Sequence, residues 1–255
     1  MSDSNKAGHT FLASLGKTRL RPGGADATEW LFAQAGFTAE SQVLEIACNM
    51  GTTSIELVSR FGCRVHAVDM DKQALRKAQE NVDAAGLADH IQLSEANAHH
   101  LPFPDNSFDV VINEAMLTMY ADKAKQRLVR EYYRVLKPGG CLLTHDIMLT
   151  RGELEAQADT QLQQVVKSNV SPMTQPEWQA LFYQNGFSQV ATHHGPMTLM
   201  SPRGMLKDEG VLRTLKIIFN GLKNRENRRR FVGMFRYFRS QRRQMNYIVC
   251  CSRKS

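Results

Sequence analysis

No apolar run in this chain approaches the roughly 20 residues that a helix needs to cross a bilayer, so no membrane span is expected. The opening residues, MSDSNKAGHTFLASLGK, lack the long apolar core of a secretory signal, and a cytoplasmic location follows as the expectation. The five cysteines, at 48, 63, 141, 250 and 251, contain no C-x-x-C pair and no His at a zinc-ligand spacing. Their odd number and apolar surroundings point to buried, reduced thiols, and no metal is expected. Cys250 and Cys251 would face opposite sides of a strand. Internal repeats and low-complexity tracts are missing as well. Two nucleotide-binding signatures are absent. A nicotinamide-type G-x-G-x-x-G would need glycine where Ala47, Asn49 and Thr52 stand, and a P-loop ending in Gly16-Lys17-Thr18 would need glycine in place of Phe11.

What is present is an ordinary globular composition over 255 residues, enough for one sizeable α/β domain with an appended subdomain. The net charge of +7 is concentrated. Residues 200–243 hold thirteen Lys or Arg against three Asp or Glu, a local balance of +10, which leaves −3 for the rest of the chain.

From residue 42 onward, strand-like runs alternate with helical patterns. QVLEIAC (42–48) precedes the amphipathic TTSIELVSRFG, and RVHAVD (64–69) precedes KQALRKAQENVDAAG, which Asp71 can cap and Gly86 can end. IQLSEA (91–96) is a third strand. After the proline-broken loop HHLPFPDNS, FDVVINEA (108–115) reads as a strand buried on both faces. A helix over 120–136 stops at LKPGG and leads into CLLTHDIML (141–149). This alternation predicts a doubly wound, mostly parallel sheet with right-handed crossovers. A polar helix over 152–168 should follow, then a helix opened by the capping box TQPE (174–177), a strand at QVATHHGPM and a last strand at NYIVCCS (246–252). Between those two strands the basic segment carries helical stripes at Val211, Leu215, Ile218 and Leu222, then at Phe231, Phe235 and Phe238.

Ligands of open α/β sheets sit at the carboxyl ends of the strands, so the residues just after each strand are the candidates. They are Ala47 to Gly51, opening a helix whose first N–H groups suit a carboxylate or phosphate; Asp69, eighteen residues past Gly51; Asn97 with Ala98; and Asn113 with Glu114. Singly, an Asp after a strand is usually a cap or a turn residue. Their joint order carries the information.

The runs VLEIACNMG, VHAVD, ANAHHLPFPDNSFDVV and RVLKPGG resemble, over about residues 30–150, the successive motifs of class I S-adenosylmethionine-dependent methyltransferases. The nearest likeness is to the small-molecule branch that includes the ubiquinone and menaquinone biosynthesis enzymes. The resemblance implies a seven-stranded Rossmann-like sheet with a helical insertion before the last strand. It also implies S-adenosyl-L-methionine as cofactor and S-adenosyl-L-homocysteine as product. Glu45, Ala47, Cys48, Asn49 and Gly51 would hold the methionyl part, Asp69 the ribose, Met70 one adenine face, and Asn97 with Ala98 the adenine edge, with Asn113 beside them. The family usually has Asp where this chain has Asn97; an amide oxygen can still accept from the adenine amino group. Asn49 should take positive φ, since Asn is the next best residue to Gly there.

Candidate general bases near the transferred methyl are Glu114, His145 and Asp146, each with a structural role as its alternative. The N/D-P-P-Y motif of base-amine methylation is absent, as is a nucleophilic Pro-Cys, which disfavours nucleic acid despite the basic segment. A small-molecule acceptor, lipophilic or anionic, is expected instead. The organisation implied is a helical cap segment over 1–40, a cofactor-binding core over 41–199, the basic insertion over 200–243, and the last core strand in 244–255. The insertion offers either packing stripes or a cap that touches an acidic membrane surface. The competing class of function is a non-catalytic module of the same fold that binds RNA, an acidic partner or a membrane through that insertion.

Overall fold

A computed structural model describes residues 7–150, 163–165 and 169–255. Two helices, α1 (Gly8–Ser14) and α2 (Gly24–Ala35), precede the alternating unit β1 (Gln42–Ile46), α3 (Thr52–Phe61), β2 (Arg64–Asp69), α4 (Lys72–Ala84), β3 (Ile91–Glu95), β4 (Phe108–Glu114), α5 (Asp122–Val135) and β5 (Leu136–Leu149). The chain continues through β6 (Met173–Thr174), α6 (Gln175–Gln184), β7 (Gln189–Pro196), α7 (Pro202–Leu222), α8 (Arg225–Ser240) and β8 (Met245–Arg253). The predicted helix over 152–168 lies outside the described residues except for 163–165, which are helical.

The strands lie in the order β3-β2-β1-β4-β5-β8-β7, with the two-residue β6 beside the end of β5. Neighbours from β3 to β5 are parallel, and β8 is antiparallel to both β5 and β7. The expected mostly parallel, doubly wound sheet is therefore present. Its order reverses between β1 and β4, which opens a crevice at their carboxyl ends.

The sheet is buried on both faces, so each central strand sends alternate residues into two separate cores. Leu44, Val111, Leu142 and Cys250 join Tyr132, Trp178 and Phe182 on one side. Val43, Ile112, Leu143 and Cys251 join Leu31, Phe32, Leu57 and Val82 on the other. The five cysteines are all buried and free.

Local signals act as read. Asp71 accepts from the Gln73 N–H at 2.7 Å to cap α4, and Thr174 with Glu177 forms a complete capping box on α6. LKPGG is a bulge: the β4–β5 ladder passes from Phe108–Leu136 to Val110–Cys141, so regular pairing resumes where the strand was expected to begin.

Residues 1–40, expected as a cap, supply two helices with different partners. Ala27, Leu31 and Phe32 of α2 pack into the sheet core. Phe11 and Leu12 of α1, with Leu15 just after it, pack instead on Ile217, Phe231 and Met234 of the α7–α8 hairpin. The two parts are stapled electrostatically. Glu209 of α7 accepts from the Thr18 and Arg19 N–H groups at 2.9 and 3.0 Å, and Asp208 from the Ala25 N–H at 2.9 Å. The fully buried Lys17 ammonium lies 3.4 Å from Glu209 and 3.7 Å from Asp208.

Candidate active site

The loop after β1 reverses the backbone three times within five residues: Ala47, Asn49 and Gly51 have φ of 57°, 50° and 72°. The positive φ expected of Asn49 is present. Ala47 shares it, at a cost of roughly 1 kcal/mol for a residue with a Cβ. Bonds on both sides hold the loop there. The Cys48 N–H donates to the Val68 carbonyl at 3.0 Å, the Asn49 N–H to Asp69 Oδ2 at 2.9 Å, and Asn81 Nδ2 to the Met50 carbonyl at 3.0 Å. Gly51 then caps α3 without any side-chain bond, so the first N–H groups of that helix have no capping side chain.

This loop, the end of β2 and α1 enclose a cleft of about 430 Å³. Glu45, Ala47, Cys48, Asn49, Asp69 and Glu114, all expected site residues, line it together. Gly51 stands behind the lining, as the α3 cap. Met70 is 62% exposed and, like Asn97, Ala98 and Asn113, lies outside the lining. Asn97 is exposed, with its Oδ1 accepting from the His99 N–H at 2.9 Å. Asn113 is fully buried, its Nδ2 donating to the Met116 sulfur at 3.1 Å.

The cleft's acids differ in state. Asp69 accepts one backbone N–H on each oxygen, from Asn49 and from Asp71, both at 2.9 Å, which leaves each oxygen with further acceptor capacity. Burial pushes the Glu45 carboxyl up to about 7 despite the hydrogen bond from the Ser54 hydroxyl. Burial would raise Glu114 too. There the Arg21 guanidinium, helped by the His145 and Thr53 hydrogen bonds, reverses the effect and holds it at about 2. Glu114 Oε1 lies 3.2 Å from Arg21 Nη1 and 3.2 Å from His145 Nδ1, and Oε2 accepts from the Thr53 hydroxyl at 2.7 Å.

His145 has no free nitrogen. Its Nε2 accepts the Gly23 N–H at 2.9 Å, so Nδ1 carries the proton and donates it to Glu114. It is fully buried and lines neither this cleft nor the cavity beside it. The Glu114–His145 pair thus ties β4, β5 and the loop before α2 together.

Asp146, the next residue, faces a second, inner cavity of about 70 Å³. Its oxygens accept from the Thr118 N–H at 3.0 Å and the Ile147 N–H at 2.8 Å, and burial raises its pKa from the ordinary value of an aspartate. The remaining wall is apolar apart from His9 and Thr118, and includes Leu12 of α1 with Met234 and Phe238 of α8. His9, Leu20, Ala115 and Met119 line both spaces, so the cavity adjoins the cleft.

Sequence reasoning did not single out His9, Arg21, Thr53 or Met119. Arg21 lies in the segment 1–40, expected as a helical cap, and proves to be the cation that fixes Glu114.

Comparison with known proteins gives a match of residues 43–140 to the family described as "Methyltransferase domain". The chain is 50% identical over 250 residues to an uncharacterized protein of Haemophilus influenzae, covering 98% of this chain and 99% of that one. It is 36% identical over 113 residues to the demethylmenaquinone methyltransferase of Lactiplantibacillus plantarum, covering 44% of this chain and 47% of the relative, about half its length. Among solved structures, phosphoethanolamine N-methyltransferase 2 of Haemonchus contortus in complex with S-adenosyl-L-methionine superimposes with a TM-score of 0.77 at 19% identity, over 96% of this chain and 57% of that one.

Proposed function

Because the chain belongs to the class I S-adenosylmethionine-dependent methyltransferases, we propose that it methylates a small, largely apolar acceptor whose reacting end enters the inner cavity beside Asp146. Its cofactor is S-adenosyl-L-methionine. When bound, that cofactor supplies an electrophilic methyl on a positively charged sulfur, which leaves neutral in an in-line displacement.

The residues of the cleft fit such a molecule. The uncapped start of α3 suits the methionyl carboxylate, and the buried carboxyl of Glu45 suits an ammonium that would draw it into its ionised form. Asp69 retains an acceptor position on each oxygen for two ribose hydroxyls. The adenine contacts of Met70, Asn97 and Ala98 rest on the family pattern. Glu114, ionised and fully engaged, positions the cleft wall and does not exchange protons near neutral pH. Asp146 is the base: a desolvated carboxylate is a stronger proton acceptor than one in water, and it would hydrogen-bond the acceptor's hydroxyl or amine.

The observation that carries this reading is the apolar cavity with its buried carboxylate, adjoining the cofactor cleft. At about 70 Å³ it is smaller than the roughly 150 Å³ that holds benzene, so a larger acceptor requires α1 or α8 to give way. A relative named for demethylmenaquinone supports a small-molecule acceptor.

The test is transfer of labelled methyl into a metabolite extract separated by polarity. Label should enter the apolar fraction, and Asp146→Asn should lower transfer on the order of 100-fold while leaving cofactor affinity unchanged. Label confined to polar products, or unchanged transfer in Asp146→Asn, overturns the assignment. Calorimetry without any cofactor binding would return the chain to the non-catalytic reading.

A further inference from the structure

Beyond its kink at Gly210 (φ 73°, ψ 172°), α7 has two opposed apolar faces where one would suffice for packing. Thr214, Ile217 and Gly221 are buried, and a Cβ built on Gly221 would stand 2.8 Å from the Phe231 ring of α8. On the far side Val211, Leu212, Leu215, Phe219 and Leu222 fall within an arc of about 100°, at 3.6 residues per turn. They are 63%, 85%, 59%, 66% and 44% exposed. A contiguous stripe of this kind on a monomer marks an interaction surface, whereas scattered single exposures do not.

The charges around the stripe identify what it meets. Lys216 and Lys223 are exposed, and among the described residues neither is paired with a carboxylate. Arg225, Arg228 and Arg229 follow, exposed, at the start of α8. The two acids just before the kink, Asp208 and Glu209, are turned inward to residues 17–25 and do not offset these cations, which leaves Glu226 as the one acid among the arginines of α8. A two-fold contact between copies would close like charges around the stripe. An anionic, apolar-cored surface satisfies both the stripe and its rim.

We propose that this face of α7 docks the protein on an anionic lipid bilayer, with the five apolar side chains entering the interface and the neighbouring cations meeting lipid phosphates. The docking is independent of which acceptor is methylated.

The full chain is to be sedimented with phosphatidylcholine vesicles and with phosphatidylcholine–phosphatidylglycerol vesicles, at low and high salt. Wild-type protein should pellet with the anionic vesicles and be released by salt. Each basic residue near an anionic leaflet strengthens binding about fivefold, so Lys216→Glu with Lys223→Glu should weaken it by roughly 25-fold or more. Leu212→Ser, Leu215→Ser and Phe219→Ser together should weaken it by at least about tenfold. All five positions are exposed, and unchanged thermal melting of both variants shows that the fold is kept. Wild-type protein left in the supernatant, or both variants pelleting like wild type, overturns the proposal. So does a solution dimer without vesicle binding that the serine variant abolishes, which would assign the stripe to a second copy.

Discussion

Replacing Glu114 with glutamine keeps the side chain's size, removes its charge and turns one of its two acceptor oxygens into a donor, which makes it a direct measure of the network around Arg21. The carboxyl falls from 4.5 to about 2 on folding, which at 1.36 kcal/mol per pH unit is about 3 kcal/mol of stability. A second route gives a similar size. Arg21 is 4% exposed, and its remaining acid, Glu56, is 3.8 Å away, so the glutamine variant would leave a nearly unpaired buried cation, at about 3–5 kcal/mol. Because the folded value is the lower one, the stabilisation is fully present above pH 4.5 and is lost as pH falls through about 2. Urea unfolding of both proteins between pH 7 and 2 is the assay. Glu114→Gln should be about 3 kcal/mol less stable at pH 7, and the two curves should converge near pH 2. A gap under about 1 kcal/mol at pH 7, or parallel curves down to pH 2, would refute the reasoning.

Ala47→Gly should relieve a left-handed backbone and raise unfolding free energy by up to about 1 kcal/mol, with cofactor affinity retained; a lower melting temperature would mean that the methyl packs better than the strain costs. Lys17→Met leaves Asp208 and Glu209 without their buried cation and should cost about 3 kcal/mol, with new proteolytic cleavage appearing in 200–243. Adding Glu209→Gln should recover part of that loss in chemical denaturation; an equal or larger loss would contradict the pairing.

The core strands were legible because a sheet buried on both faces writes near-continuous apolar runs, and because Asp71, Thr174 and Glu177 announce their helices by local chemistry. The loop after β1 was legible at Asn49. It was not at Ala47, whose positive φ is imposed by the bonds of its neighbours and leaves no mark in residue type. The stripes at Val211–Leu222 and at Phe231–Phe238 read alike in the sequence, yet Phe231 is 7% exposed and Val211 is 63% exposed. Periodicity names a face of a helix and is silent on whether anything covers it. His145 and Asp146 are adjacent in the strand and therefore point to opposite sides, which is why one closes a structural network and the other reaches a cavity.

The position of β8 bears on how the molecule is made. The final strand lies between β5 and β7, and β7 has β8 as its hydrogen-bonded partner in the sheet. During synthesis the first five strands can pair as they emerge, whereas β7 waits for β8, which follows it beyond the 44 residues of the basic segment 200–243. Tyr247 of that late strand meets the His145 ring edge to face, so the wall behind the cleft is finished only once β8 has been made. A chain truncated before residue 245 would keep the strands that bear Glu45 and Asp69 but expose one long edge of the sheet to self-association.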